Sequence, residues 1–360
     1  MYLGIEIGGT KLQLGVGAGD GKLVALERRP VEIARGGEGI REQIAAVGRE
    51  LVAAHFVRGV GYGFGGPLDV AAGRTIKSHQ VAGWDDFPLA EWTQSVLGVP
   101  VVLNNDCDAA ALAEARFGAG AGKNVVFYVT VGTGVGGGLV IDGQIYRGSR
   151  GVAAEIGHLR PFFMGGAHTA TVEDLVAGPG IVGTVHSFVE RFGQSLTNAT
   201  QAPSEQGPHD QLLHALFADQ GQAPRGWVYP AATSGEMLRA IAGLSESFGG
   251  DLRQITAEDV FRAAGYGNGI ATGAILIAVK ALGWAIAQVI TLLAPEVVVI
   301  GGGVSLAGEK AFFEPLRIEV TRYVFEPLLD SYAIVPAALG EEVVVHGAIA
   351  AACDALGKAG

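Results

Sequence analysis

Two glycine-rich turns lie 124 positions apart, Glu6-Ile7-Gly8-Gly9-Thr10 and Thr130-Val131-Gly132-Thr133-Gly134, and each leaves one apolar run and enters another. A strand, a tight Gly/Thr turn and a second strand leave several backbone N–H groups and a hydroxyl free to face one anion, and glycine lets the backbone come close to it. Two such turns facing each other form a clamp of two similar halves, able to hold the tail of ATP. A chain organised this way divides into two α/β lobes.

Its size agrees. At 360 residues with 49% hydrophobic side chains, the chain exceeds most single cores and can fill two. The 57 glycines follow no collagen-like period, so their excess belongs in turns and close backbone approaches. Lys and Arg total 25 against 36 Asp and Glu, and the net charge of -11 argues against nucleic acid or an acidic membrane as partner and for a small molecule. Cys107 and Cys353 are too few for a disulfide framework or a four-thiolate zinc site, and Met1 leads straight into a strand rather than into a signal peptide. The expected location is the cytoplasm.

Along the chain, Tyr2 to Arg29 reads as three strands, with a turn at Ala18-Gly19-Asp20-Gly21. Ile40, Ile44, Val47 and Leu51 recur at helical spacing and predict a helix over Gly39 to Ala54. Strands follow at Val57 to Phe64 and Val99 to Asn105, separated by the turn Gly65-Gly66-Pro67-Leu68-Asp69; an alanine-rich helix runs from Asp106 to Phe117. The scheme then restarts, with a strand at Asn124 to Val131, a turn at Gly132 to Gly138 and a hairpin partner at Leu139 to Tyr146 with Asp142-Gly143 at its tip. Gly273 to Ala294 is long and apolar enough to cross a bilayer, but Lys280 and Gln288 interrupt it and the flanks lack a basic bias, so it reads as the buried central helix of a lobe. The buried strand Val297 to Ile300, the triplet Gly301-Gly302-Gly303 and a last helix from Gly347 to Leu356 complete the chain, and Gln194 to Gly226 reads as an irregular insertion. The expected division is a lobe of residues 1–118 and a lobe of residues 119–360, with the last helix packing back on the first.

Gly132, Gly134 and Gly137 satisfy the G-x-G-x-x-G spacing of dinucleotide sites, but that fingerprint must open a helix and here another strand follows. Gly-Gly-Thr-Lys likewise lacks the spacing and ending of a Walker A loop. Four motifs in order are more specific: Gly4-Ile5-Glu6-Ile7-Gly8-Gly9-Thr10-Lys11, then Asn104-Asn105-Asp106-Cys107-Asp108-Ala109-Ala110-Ala111-Leu112-Ala113-Glu114, then Thr130 to Gly138, then Glu155-Ile156-Gly157-His158. Together with Val299-Ile300-Gly301-Gly302-Gly303-Val304 they resemble the ROK family, bacterial sugar kinases and sugar-responsive repressors of the actin-like ATPase superfamily, over nearly the whole chain.

The resemblance implies a two-lobed actin-like ATPase (ribonuclease H-like) α/β fold with mixed sheets, and ATP and sugar in the cleft between the lobes. By the same resemblance Gly8, Gly9, Thr10 and Lys11 form the first phosphate loop, Thr133 and Gly134 the second, and Gly302 and Gly303 lie against the nucleoside. Asp106 takes the place of the catalytic base, with Asn105 beside it on the sugar. Glu155 and His158 match the sugar-binding E-x-G-H motif, Glu173 matches the glutamate closing the next motif, and Gly66 offers a backbone contact to the sugar. Gln80 stands where the family often has a sugar-binding Asn. A homo-oligomer, most simply a dimer, is implied as well.

These residue types suit the chemistry. Phosphoryl transfer needs in-line positioning, charge neutralisation by Mg²⁺ and loop N–H groups, and one group to accept the hydroxyl proton. At the start of a helix, Asp106 is expected to be held ionised by the helix dipole, a weak base that orients the hydroxyl and takes its proton late. Glu6 is a candidate for placing Mg²⁺ through ordered water. Each residue also has a plain structural use: Asp106 as an N-cap, Glu155 and Glu173 as solvated charges, His158 as a core histidine and Glu6 as a strand-end carboxylate.

The chain departs from the family at its zinc site, which is built from the E-x-G-H histidine and three cysteines of the following stretch. Leu159 to Glu173 contains no cysteine, so zinc is not expected; His168 alone adds too little, and Phe162-Phe163-Met164 is a candidate packing replacement. The leading reading is an ATP-dependent kinase for the 6-hydroxyl of a hexose, glucose first, with N-acetylhexosamine, mannose, allose and fructose open. A ROK repressor is the alternative, disfavoured by acidity and by Glu6 lying already inside the first motif where a helix-turn-helix module would precede it. An actin-like ATPase without a sugar is the third.

Overall fold

The computed structural model describes residues 1–78, 80–161, 170–198, 234–247 and 251–357. Among them the strands β1 (Tyr2–Ile7), β2 (Lys11–Gly17), β3 (Leu23–Pro30), β4 (Val60–Phe64) and β7 (Val101–Asn105) form one five-stranded sheet in the order β3-β2-β1-β4-β7. A second sheet has β10-β9-β8-β11-β12, from β8 (Val125–Val131), β9 (Val135–Ile141), β10 (Gln144–Ile145), β11 (Val297–Gly301) and β12 (Ala333–Pro336). The two sheets share one plan: an antiparallel three-strand meander whose first strand pairs with a parallel strand, which pairs in turn with a second one. The short strands β5 (Leu68–Asp69) and β6 (Arg74–Thr75) pair separately.

Parallel strands need crossover helices, and these cover both sheets. Helix α1 (Gly36–His55) buries Ile40, Ile44, Val47 and Leu51 on the outer face of the first sheet, beside α2 (Leu89–Leu97). The helix Gly269–Leu293 and its neighbours cover the outer face of the second. That helix is long and apolar enough to cross a membrane, yet most of it is buried, with Ala274, Leu282, Ala285 and Ile286 fully enclosed. Between the sheets lie α3 (Asp106–Phe117) and the terminal helix Val343–Leu356, which packs on β1, β4 and α3. Their crossing is close enough that a β-carbon on Gly347 would overlap the Ala109 carbonyl oxygen.

Several boundaries differ from the sequence reading. Gly136, Gly137 and Gly138 are not part of a turn: β9 begins at Val135 and runs through all three. Gly136 and Gly138 are glycines because α3 lies on them, as a β-carbon on Gly138 would stand 2.5 Å from the Cys107 carbonyl oxygen and 2.7 Å from the Ala111 β-carbon, while Gly137 faces the other way, where a β-carbon would stand 2.3 Å from the Ala154 carbonyl oxygen. The expected strand Leu139 to Tyr146 is therefore the end of β9 plus β10, joined at Asp142-Gly143, both with positive φ as a type I′ turn requires. Leu68–Asp69 is a strand rather than turn. The terminal helix starts at Val343, one turn before Gly347, and residues 194–198 close the helix Gly178–Asn198 instead of opening an irregular insertion. The rest of that insertion, 199–226, lies outside the described residues, as do His168 and Phe162-Phe163-Met164.

Candidate nucleotide and sugar site

The candidate residues gather at the C-terminal ends of the central strands of both sheets, where open α/β folds place ligands. Glu6 and Gly8 end β1, Gly65 and Gly66 follow β4, Asn105 ends β7, Gly132 to Gly134 follow β8, and Gly301 to Gly303 end β11. Two carbonyl–amide links hold this rim together. Gly65 N–H donates to the Ile7 carbonyl at 3.0 Å, and Gly178 N–H donates to Gly132 at 2.8 Å.

Asp106 opens α3, but the helix is capped by Asn105, whose Oδ1 accepts from Cys107 N–H at 2.8 Å. With the cap supplied by Asn105, Asp106 keeps one further acceptor oxygen besides the Oδ1 that takes the same amide at 2.8 Å. Its place beside the first loop is fixed by Gly65: a β-carbon there would lie 3.4 Å from Asp106 Oδ2, 3.2 Å from the Ile7 carbonyl oxygen and 4.0 Å from the Gly8 Cα. Burial works against the helix dipole that was expected to hold Asp106 ionised. Burial outweighs the hydrogen bonds from Cys107 and raises its pKa above the ordinary aspartate value, and the charge of Glu155 adds to the shift. A carboxylate so raised is a better proton acceptor than the weak base expected from sequence.

The first loop is tight, with Gly8 N–H donating to the Lys11 carbonyl at 3.0 Å, while Thr10 is exposed at its tip. Lys11 Nζ lies 3.8 Å from Glu6 Oε1 and donates to the Glu341 carbonyl at 3.3 Å, so its charge is shared between the loop and the turn before the terminal helix. Glu6 is buried, accepts from Gln13 Nε2 at 2.6 Å, and has its pKa pushed up to about 7, first by burial, with the charge of Asp106 also raising it. It is not a solvated strand-end charge. Gln80 lies against this loop, its carboxamide filling the space a β-carbon on Gly9 would need. The residue read as a sugar contact thus also touches the phosphate loop.

In the second loop Gly132 N–H donates to the Gly134 carbonyl at 2.9 Å and leaves Thr133 exposed. Glu173 Oε2 accepts from Val135 N–H at 2.8 Å, so it braces this loop and is not a free helix-face charge. Gly302 has φ +88° and packs so closely on Val131 that no β-carbon fits, whereas Gly303 faces open space. Gly66 N–H donates to the Phe64 carbonyl at 2.9 Å, and its own carbonyl accepts from Asn105 Nδ2 at 3.4 Å.

Glu155 sits at the centre of an inverse γ-turn, with φ -72° and ψ 60° and a 2.7 Å bond from Ile156 N–H to the Ala154 carbonyl. Ala154 itself is left-handed at φ +65°, a conformation costly for alanine and held by its surroundings. Burial, and then the Glu173 charge, raises the Glu155 pKa against the opposing effect of His158. His158 Nε2 stands 4.0 Å from Glu155 Oε2 with its side chain 70% exposed, which excludes a core histidine. Among the described residues no three His, Cys, Asp or Glu side chains are grouped to hold a metal ion.

Sequence reasoning missed a second layer. Asp108, two residues into α3 from Asp106, is buried with its pKa raised to about 7, first by desolvation. Arg147, just past β10, lies 3.7 Å from Asp108 Oδ2 and donates to the side chain of Asn104, itself fully buried on β7. A second acid in the first turn of a helix that then becomes alanine-rich is the signal that marks Asp108; nothing local marks Arg147.

The model of the ROK family matches residues 2–207 and 230–355. A glucokinase of Halalkalibacterium halodurans is 30% identical over 96% of this chain and 93% of its own length. Among solved structures, the ROK hexokinase of Thermus thermophilus superposes with a TM-score of 0.72 at 27% identity, covering 99% of both chains. A ROK family glucokinase from Streptomyces griseus, in complex with glucose and AMPPNP, gives 0.70 at 26% identity over 98% of this chain and 99% of its own.

Proposed function

The chain belongs to the ROK family and is a sugar kinase of actin-like ATPase fold that uses ATP, and on that premise we propose that it transfers the γ-phosphoryl group to the 6-hydroxyl of glucose. The observation that carries this reading is the position of Asp106, one glycine away from the first phosphate loop, with the N-cap of its helix supplied by Asn105. The glucokinase relatives favour glucose within the sugar class.

In this reading Asp106 accepts the proton of the 6-hydroxyl as the oxygen attacks the γ-phosphorus, and its raised pKa makes it a stronger base than an ordinary aspartate. Asn105, Glu155, His158, Glu173 and the Gly66 backbone hold the remaining hydroxyls. Each hydroxyl taken out of water and left unpaired would cost about 1–3 kcal/mol, so a pocket rich in acceptors is what a hexose requires. The loops Gly8 to Lys11 and Thr133-Gly134 present amides and hydroxyls to the phosphates, and Gly302 and Gly303 flank the nucleoside. Magnesium carried with the nucleotide neutralises phosphate charge, and one buried carboxylate beside a phosphate loop fits a hard cation that takes few protein ligands; Glu6 is that group.

The test is ADP release measured over glucose, mannose, allose, fructose and N-acetylhexosamines, alongside Asp106→Asn. Glucose should give the highest kcat/KM, and the variant should lose on the order of a thousandfold in kcat while binding glucose normally. Full activity of Asp106→Asn would remove it from the mechanism, and a higher kcat/KM for another sugar would reassign the substrate.

A further inference from the structure

We infer that Arg147 is a positioning residue for phosphoryl transfer, a fork that fixes the β7–α3 junction from both sides of Asp106. The inference rests on the reading of Asp106 as the base. One arm of the guanidinium donates to Asn104, two residues before Asp106, and its Nε lies 3.7 Å from the carboxylate of Asp108, two residues after it. Asn104 in turn donates from Nδ2 to the Tyr62 carbonyl of β4 at 3.2 Å, so the fork is anchored in the first sheet. Arg147 itself leaves the β9–β10 hairpin of the second sheet, at the start of the segment that ends in Glu155. A single side chain therefore ties the sugar-facing turn of one sheet to the base-bearing junction of the other.

Stability alone is a poor reason to keep this arrangement. Desolvation raises the Asp108 pKa in spite of the neighbouring guanidinium, so the ion pair offsets only part of the cost of burying this carboxylate. Arg147 Nε is buried without a hydrogen-bond partner among the described residues and faces Asp108 only across 3.7 Å, a second cost that is only partly offset. A costly polar network beside reacting groups is the pattern of a site organised for geometry, because a misplacement of about 1 Å can lower a rate on the order of a hundredfold. The planar fork matters as well as its charge: lysine, a single point charge, can face Asp108 or Asn104 but cannot span the two as arginine does.

The experiment compares Arg147→Met, Arg147→Lys and Asp106→Asn in the full chain by ADP release, titrating glucose and ATP separately and following thermal unfolding. Arg147→Met should lower kcat on the order of 30- to 100-fold with both KM values within about threefold, and Arg147→Lys should fall between it and wild type. A folded Arg147→Met with kcat within twofold of wild type, or with its loss confined to KM, overturns the inference. If Arg147→Met does not fold, Arg147→Lys decides: unchanged kcat overturns the inference, and lowered kcat at unchanged KM upholds it. An active Asp106→Asn would instead overturn the assignment of the base, so the two failures are distinguishable.

Discussion

Replacing Gly138 by alanine should damage catalysis far more than stability, because the added methyl meets the first turn of the helix that carries Asp106. The new β-carbon would stand 2.5 Å from the Cys107 carbonyl oxygen, 2.7 Å from the Ala111 β-carbon and 3.0 Å from the Cys107 carbonyl carbon. Ordinary contact begins near 3.4 Å, and two of these three atoms are backbone, so α3 must retreat from β9 by about 0.9 Å. Overpacking of this kind costs about 1–3 kcal/mol, which for a chain of this size lowers Tm by only about 1–4 °C. Cys107 follows Asp106 directly, so the carboxylate moves with it, and a displacement near 1 Å lowers kcat on the order of a hundredfold. The assay is ADP release at saturating glucose and ATP, paired with thermal unfolding. Gly183→Ala is the control, since Gly183 is an exposed helical glycine with nothing within 4 Å of an added β-carbon, and alanine there should stabilise by up to about 1 kcal/mol. A Gly138→Ala enzyme within threefold of wild-type kcat would refute the claim that α3 seats on these glycines to aim Asp106.

Glu6 has a folded-state pKa of about 7 against 4.5 for an ordinary glutamate, so folding favours its protonated form, and its stability contribution is lost as pH rises between these values. Glu6→Gln should therefore match wild type in stability near pH 4.5 and exceed it at pH 8 by on the order of 3 kcal/mol, about 4 °C in Tm; equal Tm at pH 8 would contradict the burial argument. For Glu173, the carboxylate that accepts from Val135 N–H, Glu173→Ala should raise the ATP KM about tenfold or more, while Glu173→Gln, which still accepts that bond, should leave it nearly unchanged. Equal ATP KM values for the two variants would detach Glu173 from the second loop.

The elements were largely legible because their signals are local. Helix α3 runs from Asp106 to Phe117 as the alanine pattern and Gly118 predict, and both glycine loops stand where glycine and threonine interrupt apolar strands. The glycines of β9 were not legible, because Gly136 to Gly138 carry turn chemistry in sequence and only tertiary packing, α3 on Gly136 and Gly138 and the Ala154 backbone on Gly137, explains why a strand needs them. The same contrast separates the caps. Asn105 and Asp106 are both good N-cap residues, and only the coordinates show that Asn105 takes the role.

The site's ionisation was the least legible part, and for one reason. A helix dipole is a property of the local chain, but desolvation depends on every element that closes over a group. Glu6, Asp106, Asp108 and Glu155 come from three separate segments, yet burial raises the pKa of each, and several raise one another. Among the described residues the cations facing them are few and shared: Lys11 divides itself between Glu6 and Glu341, and Arg147 between Asp108 and Asn104. This concentration of under-neutralised carboxylates is unfavourable for folding by itself, which is why Glu6→Gln should stabilise the protein. It makes sense as the ground state of a site whose bases must be ready to take a proton and whose charge is to be balanced by what it binds.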